Sequence, residues 1–194
     1  MKFFNRVNSF TSIFFLFSLI LNAQQEEKKI IKILQAGSSS QNELKFPGAN
    51  ILTKIANTRV HLFHEGALIK SDISYFYPKK NFFTAKGKVI FTQGDSLKMT
   101  CDYIEYDGEK KIAFARGNVF LERPDMTLNT DSLELDRLKS KAYYQTGGVI
   151  RDENTKLTSK TGVYFIDEKK YRFIDKVNIY DTEYTMQKKE LDNF

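Results

Sequence analysis

The sequence predicts an all-β protein, a stack of antiparallel strands built from repeats of about 30 residues. Two observations support this prediction. Residues 66–181 contain four similar copies of one unit, spaced by 30, 30 and 28 positions between matching valines: Val89, Val119, Val149 and Val177. Within each copy, apolar residues recur at every second position, which is the period of a half-buried strand and not of a helix.

Each copy is expected to supply about two strands and two turns. In the clearest copy, residues 97–101 alternate between apolar and polar, Asp107 and Gly108 favour a turn, and residues 113–121 alternate again. One position in the second alternating run is glycine in three copies and aspartate in the fourth: Gly87, Gly117, Gly147 and Asp175. A glycine at a fixed place in a strand predicts a bend or a close approach of the backbone.

The first 23 residues have the composition of a cleaved secretory signal peptide. Lys2 and Arg6 precede an apolar run, residues 13–21, which is too short to span a bilayer, and Ala23 ends the segment with a small side chain. An uncleaved membrane anchor is the alternative interpretation. We therefore expect residues 1–23 to be removed on export.

The rest of the chain is predicted to form one domain with short flanks. Residues 24–29 are a charged lead-in, residues 30–186 are the strand-rich domain, and residues 187–194 are a charged tail that we expect to be mobile. Inside the domain, residues 36–48 are polar and are expected to form a loop. Residues 51–64 resemble a degenerate first unit.

Composition fits an exported domain without disulfides. Removing Lys2 and Arg6 lowers the formal net charge from +6 to +4, which favours anionic partners without identifying one. The single cysteine, Cys101, cannot form an intrachain disulfide. Because it lies in phase with Leu97 and Met99, we expect it to be a small buried hydrophobic residue.

No motif in the sequence predicts an enzyme, a cofactor or a metal site. A P-loop, a G-x-S-x-G sequence and a cysteine pair at metal-binding spacing are all absent. His61 and His64 would point to opposite faces of one strand, so we do not expect them to share a metal. Asp72, Asp102 and Asp131 recur with the unit, which favours a structural role, such as binding the N–H groups of turns, over catalysis.

Four segments, residues 66–72, 93–97, 115–119 and 128–133, resemble the OstA-like family. Gly-Asn-Val followed by Leu-x-x-Asp-Ser-Leu recurs in register, and the likeness covers roughly residues 30–186. The family includes the periplasmic bridge of the lipopolysaccharide transport (Lpt) machinery. The resemblance implies an open, V-shaped β-jellyroll in the periplasm, with an apolar trough along which lipid A acyl chains pass.

The resemblance also implies partners. These are lipopolysaccharide, through its lipid A, the other Lpt components of the inner and outer membranes, and further copies of the same chain placed end to end. Nucleic acid is not an expected partner. Lys86, Lys88, Arg116 and Lys176 are candidates for contact with lipid phosphates, but a solvated strand face explains these side chains as well.

The residues expected to line the trough are the inward members of the alternating runs. Small side chains among them, such as Ala115, would leave room for an acyl chain, although a filled core explains each single position more simply. The predicted lipid-binding set is Phe83, Ala85, Val89, Phe91, Ala113, Ala115, Val119, Leu121, Tyr144, Val149, Phe173 and Val177. A non-catalytic scaffold with a filled core is the main alternative, and a glycan-binding or glycan-cleaving stack is a third.

Overall fold

The computed structural model describes residues 29–181 and shows an almost purely β fold in that range. Its one helical element is a short 3-10 turn, Pro78–Lys80. The all-β prediction is therefore confirmed. The predicted signal peptide, residues 1–23, and the charged tail, residues 187–194, lie outside the described residues. Among residues 29–181, no helix has the length and apolar character needed to cross a membrane.

Sixteen strands follow one another along the described part of the chain. They are β1 (Lys32–Gln35), β2 (Ser38–Gln41), β3 (Asn50–Thr53), β4 (Val60–His64), β5 (Ala67–Ser71), β6 (Ile73–Tyr77), β7 (Phe82–Gln93), β8 (Leu97–Asp107), β9 (Ile112–Arg123), β10 (Met126–Asp136), β11 (Lys141–Tyr144), β12 (Gly148–Arg151), β13 (Thr155–Ser159), β14 (Thr161–Phe165), β15 (Lys170–Ile174) and β16 (Asn178–Asp181). Strand β2 lies inside residues 36–48, so the prediction of a loop there was wrong for this segment. All four residues of β2 are exposed polar residues that pair with β3.

The four longest strands, β7 to β10, are shared by two walls. The first half of β7 pairs with β6 and its second half with β5, while β10 pairs with β12 and then with β11. The first wall therefore runs β2-β3-β6-β7-β8-β9-β10-β11-β14-β15, and the second runs β1-β4-β5-β7-β8-β9-β10-β12-β13-β16. All the pairs are antiparallel and the sheet does not close, as the jellyroll prediction requires.

The walls join along a seam, where the long strands bend. In β7 the bend falls at Gly87 and Lys88, and in β9 at Gly117 and Asn118; all four residues have positive φ. The strand register shifts at both places. A left-handed backbone is easy for glycine and costly for most other residues, so the recurrent glycine marks the place where each strand changes wall.

The glycines at the seam also make room for the recurrent aspartates. A Cβ at Gly87 would lie 2.8 Å from Cβ of Asp72, and one at Gly117 would lie 2.7 Å from Oδ2 of Asp102. The prediction of a bend and a close backbone approach is confirmed at these two glycines. Opposite the seam, the hairpin turns of the two walls face each other along an edge that we call the mouth.

Candidate functional site: the apolar interior between the walls

The space between the walls holds most of the predicted trough residues. Nine of them are at most 1% exposed: Phe83, Ala85, Val89, Phe91, Ala113, Ala115, Val119, Leu121 and Tyr144. They belong to one continuous apolar cluster that draws on both walls. Their inward orientation follows from the period of two, which continues through the bends of β7 and β9. Whether they bind lipid remains a prediction.

Val149 was wrongly placed in the interior. It is half-buried and points away from the cluster, whereas its neighbours Gly148 and Ile150 are buried. The units align correctly when they are matched by their aspartates. Val89 and Val119 lie 17 positions after Asp72 and Asp102, and the residue 17 positions after Asp131 is Gly148. Matching the units by their valines therefore shifted the third copy by one residue.

Tyr144 explains why the third unit has glycine at this inward position. Its ring occupies the space that side chains would need at two neighbouring positions, since a Cβ at Gly148 would lie 2.4 Å from the ring and one at Gly162 would lie 2.5 Å from it. The Tyr144 hydroxyl is hydrogen bonded to Ser159 Oγ at 2.6 Å. Tyr144 and Gly148 of the third unit thus occupy the positions of Ala115 and Val119 in the second. A large and a small residue fill the interior space there in place of two residues of intermediate size.

Within residues 29–181, the fourth unit leaves the interior open at the C-terminal edge. Phe173 is partly buried against the core, but Val177 is 43% exposed in the connection between β15 and β16, so its predicted inward position was wrong. Strands β15 and β16 each pair on one side only, and no further strand covers these residues within the described chain. The inward-facing Ile179 is 66% exposed for the same reason.

An aromatic stack lies at this C-terminal end. The rings of Tyr164 and Tyr171 have centroids 4.8 Å apart, and those of Tyr171 and Phe173 are 5.7 Å apart. Burial raises the pKa of Tyr171 to about 12, so its phenol stays neutral at physiological pH. The stack extends the apolar surface of the first wall towards the open edge.

Much of the interior was absent from the predicted set. The missing residues come mainly from β4, β8 and β10. In β8 and β10 the alternation changes phase at the seam, so that the buried positions pass from odd to even numbers in β8 and from even to odd numbers in β10. The buried members of the three strands include Leu62, Met99, Ile104, Tyr106, Leu128, Leu133 and Leu135. Cys101 is also buried, as predicted, and burial raises its pKa to about 12, which keeps the thiol protonated.

Two histidines lie on opposite faces of β4, as the sequence predicted. His61 is half-buried on the outer face, whereas His64 is fully buried. Among residues 29–181, no group of three or more His, Cys, Asp or Glu side chains is arranged to hold a metal ion. Asp72 forms ion pairs with Lys54 at 3.0 Å and Arg59 at 3.3 Å, which lower the pKa of its carboxyl group.

The predicted phosphate-binding cations lie at the seam side of the molecule. Lys86, Lys88, Arg116 and Lys176 are all exposed and flank the bends or the equivalent point of the fourth unit. The Arg116 guanidinium lies 3.6 Å from Glu105 and 4.6 Å from the ring centroid of Phe114. These four cations therefore lie on the side of the molecule opposite the mouth. At the mouth, the two walls meet without a shared strand.

The mouth is bridged by Arg137, which lies just after β10 in the first wall. Its guanidinium donates to Gln93 Oε1 at 2.9 Å and to the carbonyl oxygens of His64 at 3.3 Å and Glu65 at 2.8 Å, all in the second wall. It also donates to the hydroxyl of Tyr106 at 2.6 Å. One side chain therefore binds the turns of both walls.

A second set of polar contacts extends this bridge. His64 Nε2 donates to the carbonyl oxygen of Lys29 at 3.0 Å, so its Nδ1 accepts from the Tyr106 hydroxyl at 2.8 Å. The Glu65 carboxylate pairs with Lys29 at 2.7 Å and with Lys111 of the first wall at 2.5 Å. The hydrogen bonds from Lys111 and Lys29 lower the pKa of Glu65 to about 2.

Comparison with known proteins agrees with this architecture. The crystal structure of LptH from Pseudomonas aeruginosa, the LptA-homologous periplasmic component of the lipopolysaccharide transport device, superposes with a TM-score of 0.55 over 59% of this chain and 93% of that one. The two sequences are 13% identical over this match, so the likeness concerns the fold. No curated protein matches the chain. The sequence matches the OstA-like protein family over residues 28–189, and the chain belongs to that family.

Proposed function

We propose that this protein is a periplasmic lipid-binding bridge that takes part in the transport of lipopolysaccharide to the outer membrane and in its assembly there. In this proposal the interior between the walls is the trough that carries the acyl chains. The inward residues of β7 and β9, with Tyr144 and Phe173, line it. The protein acts by binding and passing a ligand and performs no catalysis.

One observation carries the proposal. The inward positions from Phe83 to Phe91 in β7 and from Ala113 to Leu121 in β9 carry no charged side chain. Within residues 29–181, this apolar interior reaches the surface at the C-terminal edge through Phe173 and Ile179. A closed core would end in covered or polar side chains at this edge. Membership of the OstA-like family and the likeness to LptH support the same interpretation.

The proposed partners follow from the ligand and from the two ends of the stack. Lipid A of lipopolysaccharide is the ligand, and Lpt components of the inner and outer membranes flank the bridge. Among the strands of residues 29–181, β1 and β2 at one end and β15 and β16 at the other each pair on one side only, and we propose that their outer edges pair with such components or with another copy of the chain.

A filled scaffold is the second candidate, because the interior side chains already occupy the space between the walls. Phe83, Phe91, Tyr106 and Tyr144 are all at most 1% exposed. As a scaffold, the protein would hold other components in place and would bind no lipid. Because the interior is filled, the binding of an acyl chain would require the walls to move apart.

Lipid extraction decides between the two candidates. Mass analysis of protein purified from the periplasm should detect lipid A, and a photo-crosslinker at Ala115 should capture lipopolysaccharide in cells. A matched photo-crosslinker at Glu134, on the exposed face of β10, should capture much less, because its side chain points to solvent. If folded, exported protein carries no lipid and Ala115 captures none, the scaffold replaces the bridge.

A further inference from the structure

The mouth contains a cavity that leads towards the interior from the side. It has a volume of about 240 Å³ and is lined by residues of both walls, including Leu97, Arg123, Leu135, Arg137 and Ile166. Leu97 and Leu135 are 5% and 1% exposed and belong to the continuous apolar cluster. The cavity therefore touches the apolar cluster that forms the proposed trough, while its other lining residues, apart from Ile166, are polar: Gln93, Ser96, Arg123, Arg137, Ser140, Asp167 and Lys169.

Arg137 closes one side of this cavity by joining the walls. Three of its hydrogen bonds reach His64, Glu65 and Gln93 of the second wall, and the Lys111–Glu65 ion pair lies beside them. On the other side the walls approach through a weaker contact, Lys169 to Asp125 at 4.0 Å, in which the lysine side chain is 69% exposed. We name Arg137, Tyr106, His64, Glu65 and Lys111 the latch.

The rest of the structure shows why a latch is useful. The interior is filled, so an acyl chain can occupy it only after the walls separate. The walls share continuous strands at the seam and cannot part there, whereas at the mouth they are joined by side chains. Hydrogen bonds to a guanidinium can be exchanged for bonds to water, so the mouth is the edge that can open reversibly.

We propose that the cavity beside Arg137 is a lateral portal for the acyl chain of a lipid, and that the latch holds the portal closed when no lipid is bound. This inference rests on the proposed lipid-binding function. The occupant is an acyl chain because two of the residues that line the cavity, Leu97 and Leu135, belong to the apolar cluster that fills the interior. Arg137 is a positioning residue in this scheme, since it acts on the walls and not on the lipid.

The rate of lipid uptake tests the latch. Purified protein is mixed with a dansyl-labelled fatty acid, and the rise in fluorescence is followed by stopped flow. Arg137→Met keeps the aliphatic stem and removes the hydrogen bonds across the mouth, so uptake should become about fivefold faster. Arg172→Met is the matched control, because Arg172 is exposed on the outer face of β15 and should leave the rate unchanged.

A second pair of variants tests the position of the portal. Ser96 lines the cavity and is exposed, so Ser96→Trp should obstruct the portal and slow uptake without disturbing the core. Asp95→Trp adds the same bulk one residue away, at a position that does not line the cavity, and should have little effect. Circular dichroism and thermal melting of each variant establish that it is folded.

The outcomes separate the inference from the function on which it rests. If the native protein takes up no fatty acid and no lipopolysaccharide, the proposed function fails. If the native protein binds lipid but folded Arg137→Met and Ser96→Trp take it up at the native rate, the lateral portal is wrong and lipid passes through the ends. Should Arg137→Met not fold, Lys111→Met decides the point, since it removes only the partly exposed partner of Glu65.

Discussion

The seam and the mouth join the same two walls by different means. At the seam, the chain itself crosses between walls through left-handed residues at Gly87 and Gly117. Gly87 packs on Asp72, which lies between β5 and β6, and Gly117 packs on Asp102 of β8. At the mouth, the walls meet through side-chain contacts between residues far apart in sequence, such as the hydrogen bond from Arg137 to the carbonyl oxygen of Glu65. The seam fixes the angle between the walls, whereas the mouth sets how tightly they close.

This difference has a consequence for motion. Separating the walls at the seam would break the backbone ladders of β7 to β10, whose paired residues continue to either side of each bend. Separating them at the mouth breaks a small number of polar contacts and exposes apolar side chains. A trough that opens for a ligand would therefore hinge at the seam and part at the mouth.

The largest effect is expected at the seam. In Gly117→Ala the new Cβ would meet Asp102 at 2.7 Å, and alanine would have to adopt the glycine φ of 75°. Together the clash and the left-handed backbone should cost about 3 kcal/mol in the free energy of unfolding, measured in urea. Gly94→Ala is the control: its φ is also positive, at 53°, but a Cβ there meets nothing within 4 Å, so about 1 kcal/mol is expected.

Equal losses in the two alanine variants would contradict this account of the seam, because only Gly117 is packed on an aspartate. A further check is Gly117→Ala combined with Asp102→Ala. Shortening the aspartate removes its carboxylate from the path of the new Cβ and should restore part of the lost stability.

The seam was visible in the sequence because its residues are local and repeated. Gly87 and Gly117, with Asp72 and Asp102, recur at the repeat length, and the recurrent glycine predicted a bend in each unit, while the alternation of apolar residues predicted the strands. The inward positions of β7 and β9 followed from the period of two. In these parts of the chain, each residue responds mainly to its own strand and to the neighbouring one.

The mouth and the third unit could not be predicted in this way. Arg137 occurs once, and its partners in the second wall lie 44 to 73 positions away, so no period reveals it. Val149 was predicted to point inward because it was aligned with Val89 and Val119 of the other units. In the third unit, the interior space is filled by the Tyr144 ring instead. Once the Tyr144 ring occupies the interior, glycine is needed at positions 148 and 162. The large ring on one strand and the glycines on two other strands compensate for each other in the folded protein. The spacing of residues along a single sequence does not reveal which strands lie against one another.

The Glu65 contacts at the mouth should give a pH dependence. Its pKa falls from the ordinary 4.5 to about 2 in the folded protein, so the ion pairs contribute fully above pH 4.5 and are lost as the pH falls towards 2. Urea unfolding between these pH values should show Glu65 contributing on the order of 2 kcal/mol. In Glu65→Gln this part of the pH dependence should disappear. An unchanged profile would show that other carboxylates dominate it.

The smallest effect is expected at the first bend of the seam, where Arg59 supports the left-handed residues. Its guanidinium donates to the carbonyl oxygens of Gly87 at 3.2 Å and Lys88 at 2.6 Å while pairing with Asp72. Lysine keeps the charge but lacks the planar fork needed for these contacts, so Arg59→Lys should cost about 1 kcal/mol in urea unfolding. Arg116→Lys should cost less, because the Arg116 side chain is 56% exposed. Equal costs would show that the fork of Arg59 adds nothing to the bend, and that the Gly87–Asp72 packing alone holds it.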